Sequence, residues 1–523
     1  MPTAPRLKRV LALLICSASA VAAPAATTPR LWNHLEPGPY GVGFLVLHRS
    51  DDSRNWKPKR TFRGEVELGE RGRPIRISVW YPAEKDSGRG MTFGDYVRAS
   101  QAAPRFRSVE EQLSIRFLRS LRGVIKGEEV LQHLLHAEVA GRWGAKAAKG
   151  RFPVVLYASG LNETWQQANF VLGEYLASHG YVVAAVGQLG SSPVRTNFGI
   201  NAVDFETLLR DLEYTWAIVQ RLSFADRNRL AVMGHSVGGA LGLALTMRGG
   251  EADAVIGLDA AYTNKRVAEV MKSAPYYSAG AVRVPLLDLR RANNKEDLTI
   301  LDALRHSDRY LVEIPGVQHA DFTSFPFIAR LYPAKIEART PELGAQGYGR
   351  VCRSVLGFLK AQLQNEPDAL KVITTPSATE EVAVHVEVRK GLSPTPTVEE
   401  LVAVLQREGL ESALELLQRT KLREPDQNAA NTRVLTSIGY GFIAEGKPEL
   451  AVGVFRLLTE AQPTSADAYD SLADAYTAQG DAAKMLEAYR RVLDLLPDDS
   501  SLDAPAKKDL EERARGKLNE KAK

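Results

Sequence analysis

The sequence predicts an α/β domain, with a mostly parallel sheet covered by helices on both faces, followed by an all-α domain of helical repeats. Between residues 151 and 318, apolar runs alternate with helical stretches, as in parallel strands joined by crossover helices. Further along, Gly446 and Gly480 are 34 residues apart, as are Pro463 and Pro497. A fixed period of that length indicates stacked helical repeats.

The chain begins with a segment typical of a secretory signal peptide. Residues 1–23 combine a basic start, an apolar stretch over 10–15 and small residues before Pro24. We expect cleavage near Ala22 or Ala23 and a periplasmic or secreted protein. The formal net charge is +5. Loss of three basic residues with the leader leaves about +2, which gives no reason to expect a nucleic-acid partner.

The mature chain would keep a single cysteine, Cys352, so no internal disulfide can form and stability must come from packing. We expect Cys352 to be a small buried side chain on a helix. No stretch after the leader has the roughly 18 uninterrupted apolar residues that a membrane span needs. The composition, 45% hydrophobic and 25% charged, is that of a globular protein.

The predicted α/β domain covers residues 30–370. An alternating strand at 75–82 is expected at one edge of the sheet, antiparallel to its neighbour. Residues 95–148, rich in helix formers and arginines, are predicted to be a helical insertion that packs on its own domain, caps the active site or lies on a membrane surface. The parallel strands are predicted at 153–158, 181–187, 229–234, 254–259, 284–289 and 310–314, with helices at about 165–179, 205–221 and 237–248.

Polar residues and prolines mark 371–396 as a linker, within which a short strand is expected at 383–388. Residues 397–504 carry the repeats, and their small and aromatic positions, such as Ala473 and Tyr476, resemble tetratricopeptide repeats. The resemblance implies protein binding in a concave groove, and a helical appendage that only stabilises or dimerises the chain is the alternative. We expect the charged tail, 505–523, to be a frayed helix or disordered.

Residues 229–240 contain an apolar run, the sequence Gly234-His235-Ser236-Val237-Gly238 and a stretch of small residues. This is the Gly-x-Ser-x-Gly motif, in which a strained strand-to-helix turn exposes a serine hydroxyl as a nucleophile. The two glycines remove Cβ atoms that would block the turn. We expect Ser236 to be the nucleophile, and a serine that merely caps a helix is the alternative.

A serine nucleophile needs a histidine to take its proton and a carboxylate to orient that histidine. His319 lies in a loop directly after the last predicted parallel strand and is the expected base. His235 should point away from the serine and pack beneath it, and His306 should face solvent.

Two aspartates compete for the role of the acid. Asp259 closes the strand that follows the nucleophile strand, where a carboxylate would emerge at the catalytic edge of the sheet. Asp288 lies inside a buried run, where it needs a partner such as Arg290 or Arg291. We favour Asp259, with Asp288 as the alternative; whichever is not the acid is expected to form a structural salt bridge.

The oxyanion of an acyl-transfer reaction needs backbone donors. The Val237 N–H follows the nucleophile at the positive end of a helix, and the Leu161 N–H lies in the turn after the strand at 153–158. The side chains of Leu161, Trp165 and Gln166 would then border the acyl pocket. This set of residues needs no metal and no organic cofactor.

Six segments occur in an order that resembles a known family; they are residues 38–43, 75–82, 152–161, 234–239, 258–260 and 319–322. They are similar to the platelet-activating factor acetylhydrolase branch of the α/β-hydrolases, and more broadly to the dienelactone hydrolase group, over residues 36–364. The resemblance implies the α/β-hydrolase fold and supports Asp259 as the acid. Two positions depart from it: Ser159 stands where the family commonly has histidine, and Ser236 stands where dienelactone hydrolases have cysteine.

The expected function is that of an exported serine hydrolase that cleaves a short-chain or lipid acyl ester through an acyl-Ser236 intermediate. A peptidase or a thioesterase could use the same three side chains. A non-catalytic binding protein with a vestigial hydrolase domain is the other alternative. The expected partners are a small-molecule or lipid ester and, through the repeats, a protein.

Overall fold

The computed structural model of the chain describes residues 30–56, 59–60, 66–67, 69–98, 104–161, 166–187, 189–191, 198–292, 297–336, 340–375, 384–392, 398–421 and 428–520. The chain divides into two compact units, Met1–Leu392 and Ser393–Lys523. The predicted signal peptide lies outside the described residues. Within them, no helix is both long and apolar enough to cross a membrane.

The first unit is built on one large sheet. Its strands, with a separate hairpin of β2 and β3, are β1 (Gly41–Trp56), β2 (Lys59–Arg60), β3 (Val66–Glu67), β4 (Glu70–Ala83), β5 (Arg89–Thr92), β6 (Glu138–Trp143), β7 (Phe152–Ala158), β8 (Val182–Val186), β9 (Ala225–His235), β10 (Ala254–Leu258), β11 (Leu286–Arg291), β12 (Arg309–Ile314) and β13 (His385–Arg389). The order across the sheet is β13-β12-β11-β10-β9-β7-β8-β4-β1-β6-β5. From β8 to β12 neighbouring strands are parallel, and β4 runs antiparallel to β8. The predicted parallel strands are therefore confirmed. The strand expected at one edge of the sheet, β4, lies instead inside it, because β1, β6 and β5 extend the sheet beyond it.

Helices cover both faces of this sheet. They are α1 (Phe93–Val97), α2 (Pro104–Val124), α3 (Glu128–Leu135), α4 (Phe170–Ser178), α5 (Ala202–Val219), α6 (Val237–Met247), α7 (Lys265–Lys272), α8 (Thr299–Ala303), α9 (Phe325–Leu331), α10 (Pro341–Leu363) and α11 (Lys371–Thr374). Cys352 is buried in α10, as expected.

The central strands are buried on both faces, which explains why their sequences are continuous apolar runs. In β7, Val155 and Tyr157 belong to a core layer shared with α4 and α10. Val154 and Leu156, which alternate with them, belong to the layer shared with α5 and α6. This three-layer arrangement, with a serine turn between β9 and α6, is an α/β-hydrolase-like fold.

The segment predicted as a helical insertion, 95–148, is not wholly helical. It contains α2 and α3, but it ends in β6, which pairs in parallel with β1 and antiparallel with β5. Leu131 and Leu134 of α3 lie in the main core. The segment therefore extends the sheet and packs on its own domain.

Part of the predicted linker belongs to the first unit. Ile373 of α11 is buried, and β13 pairs antiparallel with β12 along the edge of the sheet. The short strand expected at 383–388 is thus present, but the linker boundary at 371 is too early because residues after it pack on the sheet.

The second unit is an all-α stack. Its helices are α12 (Val398–Glu408), α13 (Leu410–Lys421), α14 (Asn428–Ala444), α15 (Pro448–Ala461), α16 (Ala466–Gln479), α17 (Ala482–Leu495) and α18 (Ala504–Glu520). Gly446 and Gly480 follow α14 and α16 with φ of 70° and 82°, the left-handed conformation that ends helices.

The charged tail, expected to be a frayed helix or disordered, forms most of α18. Leu510 and Ala514, four residues apart on its surface, are 5% and 0% exposed. This narrow apolar stripe lets an otherwise charged helix pack on α17. Of the two expectations for 505–523, helix is therefore the one observed, as far as residue 520.

Candidate active site

A sharp turn joins β9 to α6 and carries Ser236. Its backbone has φ 55° and ψ −124°, a conformation that residues with a side chain rarely adopt. The Ser236 N–H donates to Leu258 O at 3.0 Å, and Ser236 O accepts from the Ala261 N–H at 2.8 Å. These bonds hold the turn against the end of β10 and leave the serine partly exposed at the carboxyl edge of the sheet.

The two motif glycines are needed because backbone segments meet at the turn. A Cβ at Gly234 would lie 2.2 Å from the carbonyl carbon of Gly238. A Cβ at Gly238 would lie 2.0 Å from Ala158 O, at the end of β7. Either side chain would displace backbone, so glycine is required at both positions.

Asp259 and His319 meet at the same edge of the sheet. Asp259 follows β10 with φ 43°, and His319 begins a short 3-10 helix, His319–Phe322, after β12. His319 Nδ1 lies 2.5 Å from Asp259 Oδ2. The Asp259 side chain is 2% exposed and that of His319 is 45% exposed. Because Asp259 occupies Nδ1, Nε2 is the ring nitrogen left for a second partner.

Arg291, at the end of β11, also contacts Asp259. Its Nε lies 2.7 Å from Asp259 Oδ2, and its backbone N–H donates to Oδ1 at 3.2 Å. Burial alone would raise the pKa of Asp259. The hydrogen bond and charge of His319 and the charge of Arg291 outweigh burial and lower that pKa below its usual value of 3.8. Asp259 is therefore ionised at neutral pH.

His235 connects the turn to His319. Its Nε2 lies 3.1 Å from the His319 carbonyl oxygen, and the centroids of the two rings are 4.5 Å apart. As predicted, it packs beside the turn. No hydrogen bond between Ser236 Oγ and the His319 ring is present within the described ranges. Such a contact is often open in a site without substrate and closes when substrate binds.

The alternative acid, Asp288, has a different set of partners. The Tyr262 hydroxyl donates to its Oδ1, and Arg290 Nε lies 3.2 Å from its Oδ2. Asp288 and Arg290 are 1% and 5% exposed, so the pair is a buried ion pair. Arg290 and Arg291 take different aspartates because successive residues of a strand face opposite sides of the sheet.

The other predicted site residues lie as follows. Val237 is the first residue of α6, so its N–H belongs to the unpaired amino end of that helix. The end of β7 lies against Gly238 of the serine turn. The turn that leads from β7 to Leu161 therefore starts beside the serine turn. Leu161 is partly buried against the apolar core. Trp165 lies outside the described residues, and Gln166 opens a 3-10 helix, Gln166–Asn169.

His306 lies away from this site. Its Nδ1 is 3.2 Å from Leu392 O at the protein surface, consistent with the prediction that it faces solvent.

The sequence analysis missed a buried network beneath the segment that carries His319. Asn169 Nδ2 donates to Phe322 O at 3.1 Å and to the Tyr157 hydroxyl at 2.9 Å. The Tyr348 hydroxyl donates to Asn169 Oδ1 at 2.9 Å. No local pattern marks Asn169, because its partners are remote in the chain.

Comparisons with known proteins bear on this site. Residues 144–275, about a quarter of the chain, match the model of the chlorophyllase family. No curated protein matches the chain. Among solved structures, the chain is similar to a ferulic acid esterase from Streptomyces cinnamoneus, with 23% sequence identity, a TM-score of 0.46, and coverage of 70% of this chain and 98% of that chain. The family match includes Ser236 and Asp259, and His319 lies beyond it.

Proposed function

We propose that this protein is a serine esterase that cleaves a carboxylic ester through an acyl-Ser236 intermediate. The observation that carries the proposal is the bond between Asp259 and His319, at the same sheet edge as the strained turn of Ser236. The match of residues 144–275 to the chlorophyllase family supports an ester as the bond that is cleaved.

Each residue of the proposed site has a defined task in the first half of the reaction. His319 Nε2 takes the hydroxyl proton while Ser236 Oγ attacks the ester carbonyl carbon, and Asp259 keeps Nδ1 protonated and stabilises the imidazolium. The N–H groups of Val237 and Leu161 donate to the oxyanion. Collapse of the tetrahedral intermediate breaks the carbon–oxygen bond, and His319 gives its proton to the leaving alcohol.

The second half regenerates the serine. His319 takes a proton from water as the water oxygen attacks the acyl carbon, and the same N–H groups stabilise the second oxyanion. The bond to Ser236 Oγ then breaks, His319 returns the proton to that oxygen, and the carboxylic acid leaves.

For the substrate we propose a short-chain or lipid acyl ester, in keeping with the resemblance to the platelet-activating factor acetylhydrolase branch. Leu161, Trp165 and Gln166 would border its acyl group. A panel of p-nitrophenyl esters of graded acyl length measures acyl preference. The matching thioesters and anilides, with the same acyl groups, report whether thioesterase or peptidase activity exceeds esterase activity.

Labelling with a fluorophosphonate probe tests the nucleophile. The full-length protein should label, Ser236→Ala should not, and turnover should fall by on the order of 10^4 or more. Ser223→Ala, which removes an exposed serine elsewhere in the same unit, is the matched control and should label like the natural protein. A folded natural protein that does not label would refute the proposal and favour a binding scaffold.

Two further proposals concern the rest of the chain. We propose that residues 1–23 are removed on export to the periplasm or the medium, and N-terminal sequencing of the exported protein should then begin after Ala22 or Ala23. We also propose that the helical stack binds a protein partner, in keeping with its resemblance to tetratricopeptide repeats.

A further inference from the structure

Three buried polar side chains join the segment that carries His319 to the start of α4. We call residues 319–324 the His319 segment; it consists of the 3-10 helix His319–Phe322 and the two residues after it. Asn169, Ser324 and Tyr348 are 4%, 1% and 0% exposed. We refer to these three side chains as the anchoring network. None of them has a task in the chemical steps proposed above.

Three hydrogen bonds connect the His319 segment to the start of α4. The Ser324 N–H donates to Ala168 O at 3.0 Å, and Ser324 Oγ accepts from the Val171 N–H at 3.1 Å. Asn169 Nδ2 donates to Phe322 O at 3.1 Å. Every residue of α4 is buried, so this part of the helix is fixed by the core. The position of the His319 segment therefore depends on α4 as well as on its own turn.

Asn169 also contacts the strand that precedes the serine turn. Its Nδ2 donates to the Tyr157 hydroxyl at 2.9 Å. Tyr157 is followed by Ala158, whose carbonyl oxygen lies against Gly238 of the serine turn. One amide group thus contacts both the His319 segment and the end of β7, and so relates the position of the base to that of the nucleophile.

The Phe322 carbonyl fixes the directions of these hydrogen bonds. Because Phe322 O can only accept, the amide nitrogen of Asn169 must face it, and Oδ1 must face Tyr348. The Tyr348 hydroxyl donates to Asn169 Oδ1 at 2.9 Å. The Ser324 hydroxyl, 3.1 Å from that of Tyr348, is then the donor of the pair. Each member supplies what the next one lacks, so removal of one hydroxyl leaves a buried polar group unpaired.

We propose that Asn169 and Tyr348 are positioning residues, which hold the His319 segment where Nε2 can meet the Ser236 hydroxyl. This inference rests on the proposed esterase function. His319 and Phe322 begin and end one short 3-10 helix, so a displacement of Phe322 O also displaces the imidazole. The base must come within about 3 Å of the hydroxyl, and a misplacement of about 1 Å lowers the rate up to about a hundredfold.

Tyr348→Phe tests the inference, with Tyr96→Phe as the matched control. Both tyrosines are 0% exposed, and each variant removes one buried hydroxyl. The Tyr96 hydroxyl donates to Glu174 at 2.7 Å and accepts from Trp80 at 3.0 Å, and neither partner belongs to the His319 segment. Both variants should therefore fold with a lower Tm than the natural protein.

The two variants should differ in their rates, measured below the lower Tm with a p-nitrophenyl ester and a fluorophosphonate probe. Tyr348→Phe should lower kcat about tenfold with KM within about twofold, and should slow labelling to a similar extent. Asn169→Ala should lower both rates at least as much. Tyr96→Phe should keep the natural kcat and labelling rate.

A Tyr348→Phe variant with a lower Tm but natural kcat and labelling rate would overturn the inference, because the anchoring network would then only stabilise the fold. An equal loss of kcat in Tyr96→Phe would overturn it as well. Ser324→Ala, which removes another hydroxyl of the same network, gives the decisive measurement if Tyr348→Phe does not fold. Failure of the proposed function has a different result, in which the natural protein itself neither labels nor hydrolyses the ester.

Discussion

Replacement of Asp259 by asparagine should abolish most of the turnover. Asp259 Oδ2 faces His319 Nδ1 and Arg291 Nε, and Oδ1 accepts the Arg291 N–H. An asparagine has one acceptor oxygen for these groups. If its NH2 faces His319, Nδ1 must accept, Nε2 is protonated, and the ring cannot take the serine proton. If its NH2 faces the Arg291 N–H instead, two partly buried donors face each other and neither has an acceptor.

The size of the effect follows from the lost charge. In either orientation of the amide, the imidazolium loses a carboxylate that is hydrogen-bonded to it at 2.5 Å. For charge centres about 4 Å apart at an effective dielectric constant near 20, the interaction is worth ~4 kcal/mol. A loss of that size lowers kcat about a thousandfold. The tautomer with Nε2 protonated lowers kcat further, so that the expected total loss is about 10^4-fold.

Asp288→Asn is the matched comparison, because it makes the same change in a neighbouring strand. Tyr262 keeps an acceptor there, but the buried Arg290 loses its ion pair. We expect a kcat within about fivefold of the natural value and a lower Tm, since removal of one partner of a buried ion pair is destabilising; Glu313 Oε1, 3.9 Å from Arg290 Nε, keeps part of the charge pairing. Ester hydrolysis and thermal unfolding of both variants provide the measurements. An equal loss of kcat in the two variants, or a larger loss in Asp288→Asn, would refute the assignment of Asp259 as the acid.

Three further predictions concern the same edge of the sheet. Gly238→Ala should unfold at a lower temperature and lose activity, because its Cβ would lie 2.0 Å from Ala158 O; a natural Tm with natural kcat would contradict this. His235→Ala should lower kcat about tenfold with little change in KM, since it removes the contact to His319 O; a change in KM alone would contradict a role in positioning. Because the pKa of Asp259 is lowered from 3.8, its ionised form stabilises the fold above about pH 4, and this stabilisation disappears as pH falls through the lowered pKa. The Tm of the natural protein should therefore approach that of Asp259→Asn as pH falls below about 4; a constant difference in Tm would contradict the linkage.

The sequence allowed the central part of the sheet to be predicted, because strands buried on both faces are continuous apolar runs bounded by turns. The outer strands gave weaker signals. In β1 the burial pattern is irregular and many side chains are polar, and β6 lies between helices and a polar turn. Their place in the sheet depends on pairing with remote segments, as in Val42 with Gly141, which no local pattern encodes.

The residues of the candidate site also divide into those that a local sequence pattern predicts and those whose contacts depend on pairing with remote segments. Ser236 and Asp259 could be predicted because each ends an apolar strand, and His319 because it follows one. The contact between Arg291 and Asp259 could not, since it depends on register between β10 and β11. The alternation of side chains along β11 does contain part of this information. Asp288 and Arg290 lie on one side of the strand, so Arg291 lies on the other side, where it can contact a different carboxylate.

The strained turns at Ser236 and Asp259 are linked by backbone hydrogen bonds at the carboxyl end of β10. The Ser236 N–H binds Leu258 O, and the Ala261 N–H binds Ser236 O, so both bonds flank Asp259. The Asp259 N–H in turn binds Leu289 O at 2.7 Å, which ties the acid to β11. Positive φ at each residue costs about 1–3 kcal/mol, and it persists only where the surroundings fix the backbone. Since neither turn can relax without breaking the bonds of the other, Ser236 and Asp259 are held in a fixed mutual geometry before any substrate arrives.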